Sequence, residues 1–205
     1  MQIRRFVGMI LALAVLTASG SAAAEKAEIG APAPGFTLPD VQGTTYSLKD
    51  FKGKFVVLEW VNFDCPFVQK HYRSGSMPNL QADYAAKGVV WLSICSSAPG
   101  KQGYFEGDEL KERIAREKAT PSAYLVDQDG KVGRAYGAKT TPHMFVIDPK
   151  GTLIYAGGID NIRSTDTDDI AKATNYVRAA LDAAMDGKAV AVSSSAPYGC
   201  SVKYK

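Results

Sequence analysis

Hydrophobic positions in this chain fall into short continuous runs, separated by polar, glycine-bearing segments. Phe55-Val56-Val57-Leu58-Glu59-Trp60 and Val89-Val90-Trp91-Leu92-Ser93-Ile94 are long enough and apolar enough to be strands buried on both faces. Between them, apolar residues recur at helical spacing from Cys65 to about residue 74. The pattern breaks near Gly75 and Pro78 and resumes from Leu80 to Ala86. This order predicts a parallel strand pair with a helical crossover. Residues 35–40 and 44–48 flank Gln42-Gly43 and predict an N-terminal hairpin. A loop over 96–103, a charged helix over 109–118, a strand over 122–126 and a short helix over 131–136 follow. Residues 143–147 and 152–156 predict a second hairpin around Asp148-Pro149-Lys150-Gly151. A closing helix is predicted over 168–185, its start marked by Asp166, Asp168 and Asp169. The order β–α–β–α, then β–β–α, is that of an α/β sandwich.

Of the 205 residues, the first 24 read as a leader. Arg4-Arg5 gives a positive start, Phe6 to Thr17 an apolar stretch, and Ala22-Ala23-Ala24 a small-residue cleavage site. Its removal takes Arg4 and Arg5 with it, and the formal charge falls from +3 to +1. The mature chain would be periplasmic or secreted, with residues 25–187 as one domain and 188–205 as a tail carrying Cys200. Near-neutral charge argues against nucleic acid as a partner, and no second apolar run is long enough to span a membrane. Three cysteines, Cys65, Cys95 and Cys200, are too few for a disulfide scaffold. With only His71 and His143 beside them, they match no metal-ligand spacing, so neither metal nor cofactor is expected. The histidines read as packing or surface residues. Lys111-Glu112 and its neighbours read as a solvated helix face.

The chemistry concentrates at Cys65. A strand, a short turn and then Cys65-Pro66 opening a helix place a thiol where first-turn amides favour its anionic, nucleophilic form. Pro66 suits the first helical position because its missing N–H had no intrahelical partner to lose. Glu59, six residues earlier, is a carboxylate inside an apolar strand. Burial would raise its pKa and fit it for proton transfer, unless it faces a lysine or water at the sheet edge.

Ala33-Pro34-Gly35-Phe36-Thr37-Leu38-Pro39-Asp40, Phe51-Lys52-Gly53-Lys54, Asp64-Cys65-Pro66-Phe67-Val68, the segment 130–137 and Thr140-Thr141-Pro142 occur in an order that resembles the thioredoxin superfamily. Within it, the chain is most similar to exported peroxiredoxin-like redoxins, the alkyl hydroperoxide reductase and thiol-specific antioxidant group. The resemblance spans roughly residues 30–187 and implies a thioredoxin-like three-layer sandwich, with a central mixed sheet flanked by helices. It implies a cis Thr141–Pro142 peptide against Cys65, with the backbone of Thr141 presented to substrate. It also implies a thiol oxidoreductase acting through Cys65 on hydroperoxides or on protein or small-molecule disulfides, with an external thiol as reductant.

Two departures qualify this. The second cysteine of a CxxC dithiol is replaced by Val68. The Thr/Ser, Pro and Arg that activate peroxide in true peroxiredoxins are replaced by Asn62, Leu58 and Pro142. Asn62 retains a hydrogen-bonding side chain. Cys95, at a strand end sharing a sheet edge with Cys65, and Cys200, in the tail, are alternative resolving thiols. The rival reading is a non-catalytic binding module using the groove at Pro142.

Overall fold

The two long apolar runs form adjacent central strands. In a computed structural model, which describes residues 26–205, β3 (Val56–Trp60) pairs in parallel with β4 (Val90–Cys95), and β4 with β5 (Ala123–Val126). On the other side of β3, β7 (His143–Ile147) runs antiparallel, followed by β8 (Leu153–Gly157). The sheet order is β5-β4-β3-β7-β8, a mixed five-stranded sheet. The N-terminal hairpin is β1 (Thr37–Pro39) with β2 (Thr45–Ser47). The proposed leader lies outside the described residues.

Alternation along β3 divides the interior in two. Val57 faces a core shared with α1 (Pro66–Arg73), α2 (Ser76–Ala85), α3 (Gly107–Arg116) and α5 (Tyr176–Met185). Val56, Leu58 and Trp60 face a second core with Phe36, Leu38 and Tyr136, the last on α4 (Lys131–Tyr136). A strand buried on both faces needs apolar residues at every position, so Glu59 is the exception to explain.

The crossover break falls where expected, but its second helix starts earlier, at Ser76, and the closing helix is divided. The crossover helix breaks at Ser74–Gly75, where Gly75 takes φ 76°, and Pro78 lies within the first turn of α2, where its missing N–H costs no helical bond. The predicted closing helix is two pieces. A 3-10 helix (Thr167–Lys172) opens on Asp166, and α5 opens on Asn175, whose side chain accepts from the Arg178 N–H. The second cap starts a new helix rather than continuing the first.

The tail is not an appendage. Residues 200–201 form β9 (Cys200–Ser201), antiparallel to β6 (Thr140–Thr141), with Thr141 opposite Cys200. Val202 N–H donates to Lys139 O at 3.0 Å and Ala98 N–H to Lys203 O at 2.8 Å. The Tyr204 hydroxyl donates to Ala138 O, and its ring fills the space above Gly130 and Gly133.

Candidate active site

Cys65 is the N-cap of α1, in extended conformation, with Pro66 at the first helical position. Its carbonyl accepts from the Val68 and Gln69 amides, so the helix begins at this residue. The thiol is fully buried. It donates to Thr141 O at 3.1 Å and accepts from the Cys200 N–H at 3.4 Å. The Thr141–Pro142 peptide is cis, as the resemblance implied. The carbonyl before it faces the sulfur.

The structure therefore brings together Cys65, Thr141, Pro142 and Cys200. All three cysteines are free thiols, and Cys200 is partly exposed. Burial, together with its hydrogen bond to Cys65 and the charge there, pushes the Cys200 thiol up to about 11. Cys95 is directed elsewhere. Its thiol donates to Gly103 O at 3.4 Å, and burial raises its pKa.

Glu59 is not at a sheet edge and faces no lysine. It is completely buried on the central strand. The Tyr72 hydroxyl donates to Oε1 at 2.8 Å, and Trp91 Nε1, Ser93 Oγ and Gln81 Nε2 donate to Oε2 at 2.8, 3.0 and 3.0 Å. Burial raises its pKa, and the four donors oppose that rise by solvating the carboxylate. Among the described residues, no hydrogen bond joins Glu59 to Cys65. Its link to the helix that Cys65 caps is the hydrogen bond from Tyr72. Because its folded pKa is raised, Glu59 favours folding at low pH and loses that contribution as pH rises through the folded value. Glu59→Gln is expected to be more favourable to stability at pH 7 than at pH 4. Thermal unfolding of both proteins across that range measures this. Parallel pH profiles would show that burial does not raise the Glu59 pKa on folding.

Asn62 is turned to structure rather than outward. Its Oδ1 accepts from the Asp64 N–H at 2.9 Å and its Nδ2 donates to Gln102 O at 3.3 Å. It shapes the turn that delivers Cys65, and a Cβ at Gly103 would overlap it. Arg113, expected on a solvated helix face, is instead part of this turn. Arg113 is largely buried. Its Nη2 donates to Phe63 O at 2.7 Å, and it pairs with Asp64 at 2.9 Å and Glu117 at 3.0 Å. It pins the two residues before Cys65. The only signal in the sequence was an arginine four residues ahead of a glutamate, which ordinarily marks a surface pair.

A model of the AhpC/TSA family matches residues 29–156, more than half of the chain. The chain belongs to the AhpC/TSA family. A thiol-disulfide oxidoreductase ResA of Bacillus thuringiensis subsp. konkukian is 30% identical over 130 residues, covering 63% of this chain and 69% of that protein. An uncharacterized conserved protein from Geobacillus kaustophilus has the same fold at TM-score 0.74 and 28% identity, over 87% of this chain and 93% of its own. A hypothetical protein from Sinorhizobium meliloti 1021 matches at TM-score 0.71 and 26% identity, over 88% and 97%. The family and the ResA relative agree on the class of chemistry, thiol-dependent oxidoreduction. Within this AhpC/TSA chain, Cys200 lies beyond the span that the family model matches.

Proposed function

We propose that this protein is a thiol–disulfide exchange enzyme whose redox pair is Cys65 and Cys200. The observation that carries the reading is the Cys200 N–H on Cys65 Sγ, within the β6–β9 ladder, with both thiols free. The tail supplies the second thiol that Val68 does not. Cys65 thiolate attacks a substrate disulfide, one substrate sulfur leaves, and a mixed disulfide forms. Cys200 then attacks the Cys65 sulfur, releases the second substrate thiol and leaves a Cys65–Cys200 disulfide. Two electrons pass to the substrate, and an external thiol restores the pair. Thr141 and Pro142 line the groove where the substrate lies.

A disulfide is favoured over a hydroperoxide as substrate. Peroxide activation calls for donors free to meet the departing oxygen. Asn62 is committed to Asp64 and Gln102, and Arg113 to Phe63, Asp64 and Glu117. The relatives named thiol-disulfide oxidoreductases support the same choice. Disulfide exchange also suits the periplasmic or secreted location that the leader indicates.

The test is a cysteine map. Reduced protein is mixed with glutathione disulfide, quenched in acid and analysed by mass spectrometry after alkylation. A Cys65–Cys200 bond with Cys95 alkylated is the expected product. A Cys65–Cys95 bond, or no internal bond at all, would overturn the assignment.

A further inference from the structure

The tail covers the sulfur it would serve. Cys65 is fully buried, and Cys200, opposite Thr141 on β9, lies over it. No substrate disulfide reaches Cys65 while β9 is docked. The substrate must take the place that β9 vacates.

That place has a specific shape. Strand addition to the Thr140–Thr141 edge uses main-chain hydrogen bonds that any extended peptide offers. The residue before the cysteine is the restrictive one. Gly199 has φ 130°, a conformation that L side chains rarely adopt, and a Cβ there would overlap the Thr141 carbonyl. The overlap is with backbone, at the atom that also accepts from Cys65, so it has no flexible neighbour to push aside. One residue further back, the Tyr198 ring meets Phe67 edge-on with centroids 5.8 Å apart, and its hydroxyl donates to Asp160 at 2.5 Å. Ser201, after the cysteine, is exposed and imposes nothing.

We infer that residues 198–200 are a tethered copy of the segment this enzyme recognises, so that its substrates are protein disulfides in which glycine precedes the attacked cysteine in an extended strand. The inference rests on the exchange reading above. A peptide in the register of β9 presents its cysteine sulfur to Cys65. The Cys65 thiolate bonds to that sulfur and the partner thiolate leaves. When β9 returns, Cys200 attacks Cys65 and the peptide departs with its sulfur reduced. Re-docking and product release are then one event.

The experiment uses the full chain carrying Cys200→Ser, which keeps the tail but halts at the mixed disulfide. Two pentapeptides are compared, one with the sequence of residues 198–202 and one with alanine in place of its glycine. Each has its cysteine blocked as a disulfide with thionitrobenzoate, and release of the coloured thiolate is followed by stopped flow. Reaction of each peptide with free cysteine corrects for intrinsic reactivity. The glycine peptide is expected to react about tenfold faster or more. Equal corrected rates would overturn the proposed specificity while leaving the exchange reading intact. Failure of both peptides and of glutathione disulfide to modify Cys65 would overturn both.

Discussion

Cys200→Ser is expected to lower steady-state disulfide reduction by about 100-fold or more, because a tethered thiol is exchanged for one that must diffuse in. Cys65→Ser is expected to fall further, to the uncatalysed rate. The two variants differ in what they hold. Cys200→Ser accumulates substrate on Cys65, visible as an added mass removed by dithiothreitol, and Cys65→Ser holds nothing. The wild-type closure step should also depend on pH. With the Cys200 thiol up at about 11, its reactive thiolate is scarce at neutral pH and increases about tenfold per pH unit below that value. Once Cys65 is in a mixed disulfide, its hydrogen bond and electrostatic effect no longer raise the Cys200 pKa. The apparent pKa of closure should therefore lie somewhat below that of the resting pair. Wild-type turnover by Cys200→Ser would reassign resolution to an external thiol.

Acid is expected to destabilise the fold well above the range in which exposed carboxylates protonate. Burial lowers both histidines to about 4, with Asp160 opposing and Lys70 reinforcing the effect at His71, and Lys139 reinforcing it at His143. Neither His71 ring nitrogen has a hydrogen-bond partner, and His143 Nδ1 accepts from the Lys139 N–H. Both rings are therefore suited to the neutral form. In the unfolded chain they titrate near 6.5, so between about 6.5 and 4 the unfolded state binds more protons and stability falls as pH falls. Each ring contributes about 3 kcal/mol over that window, a large part of a typical domain's stability. Glu59 acts with the opposite sign and offsets some of the loss. Urea unfolding at pH 7, 6, 5 and 4 measures the balance. A midpoint that holds steady down to pH 4.5 would contradict neutral, buried histidines.

What could be read in advance follows a physical division. The strand at 55–60, the helix opened by Cys65-Pro66 and the Thr141–Pro142 element were legible because each rests on local chemistry: an apolar run, a cap, an X–Pro bond. The leading sheet topology followed from the order of those runs. The tail was not legible. β9 is two residues long, and its polar, small-residue surroundings have no period. Its strand character comes from a partner edge some sixty residues away. Cys200 was recognised as a candidate only through its reach, and the ladder with Thr141 is what gives it a position. The split of the last helix was obscured because Asp168 to Met185 has no glycine or proline to mark a break. Only the Asn175 cap distinguishes the second start. Arg113 and Asn62 were misjudged for a related reason. Their side chains bond to loops at 63–64 and 102, and such contacts leave no trace in local spacing.

The environment of Trp91 makes the protein its own spectrometer. Its indole N–H is bonded directly to Glu59, whereas Trp60, the other tryptophan, donates to Ser96 on the opposite side of the sheet. Both rings are buried, so solvent does not dominate the emission of either. A change of charge on the hidden carboxylate is felt by one fluorophore and largely not by the other. The ionisation of a group that no dissolved reagent can touch is thereby made optical, without a label and without altering a residue.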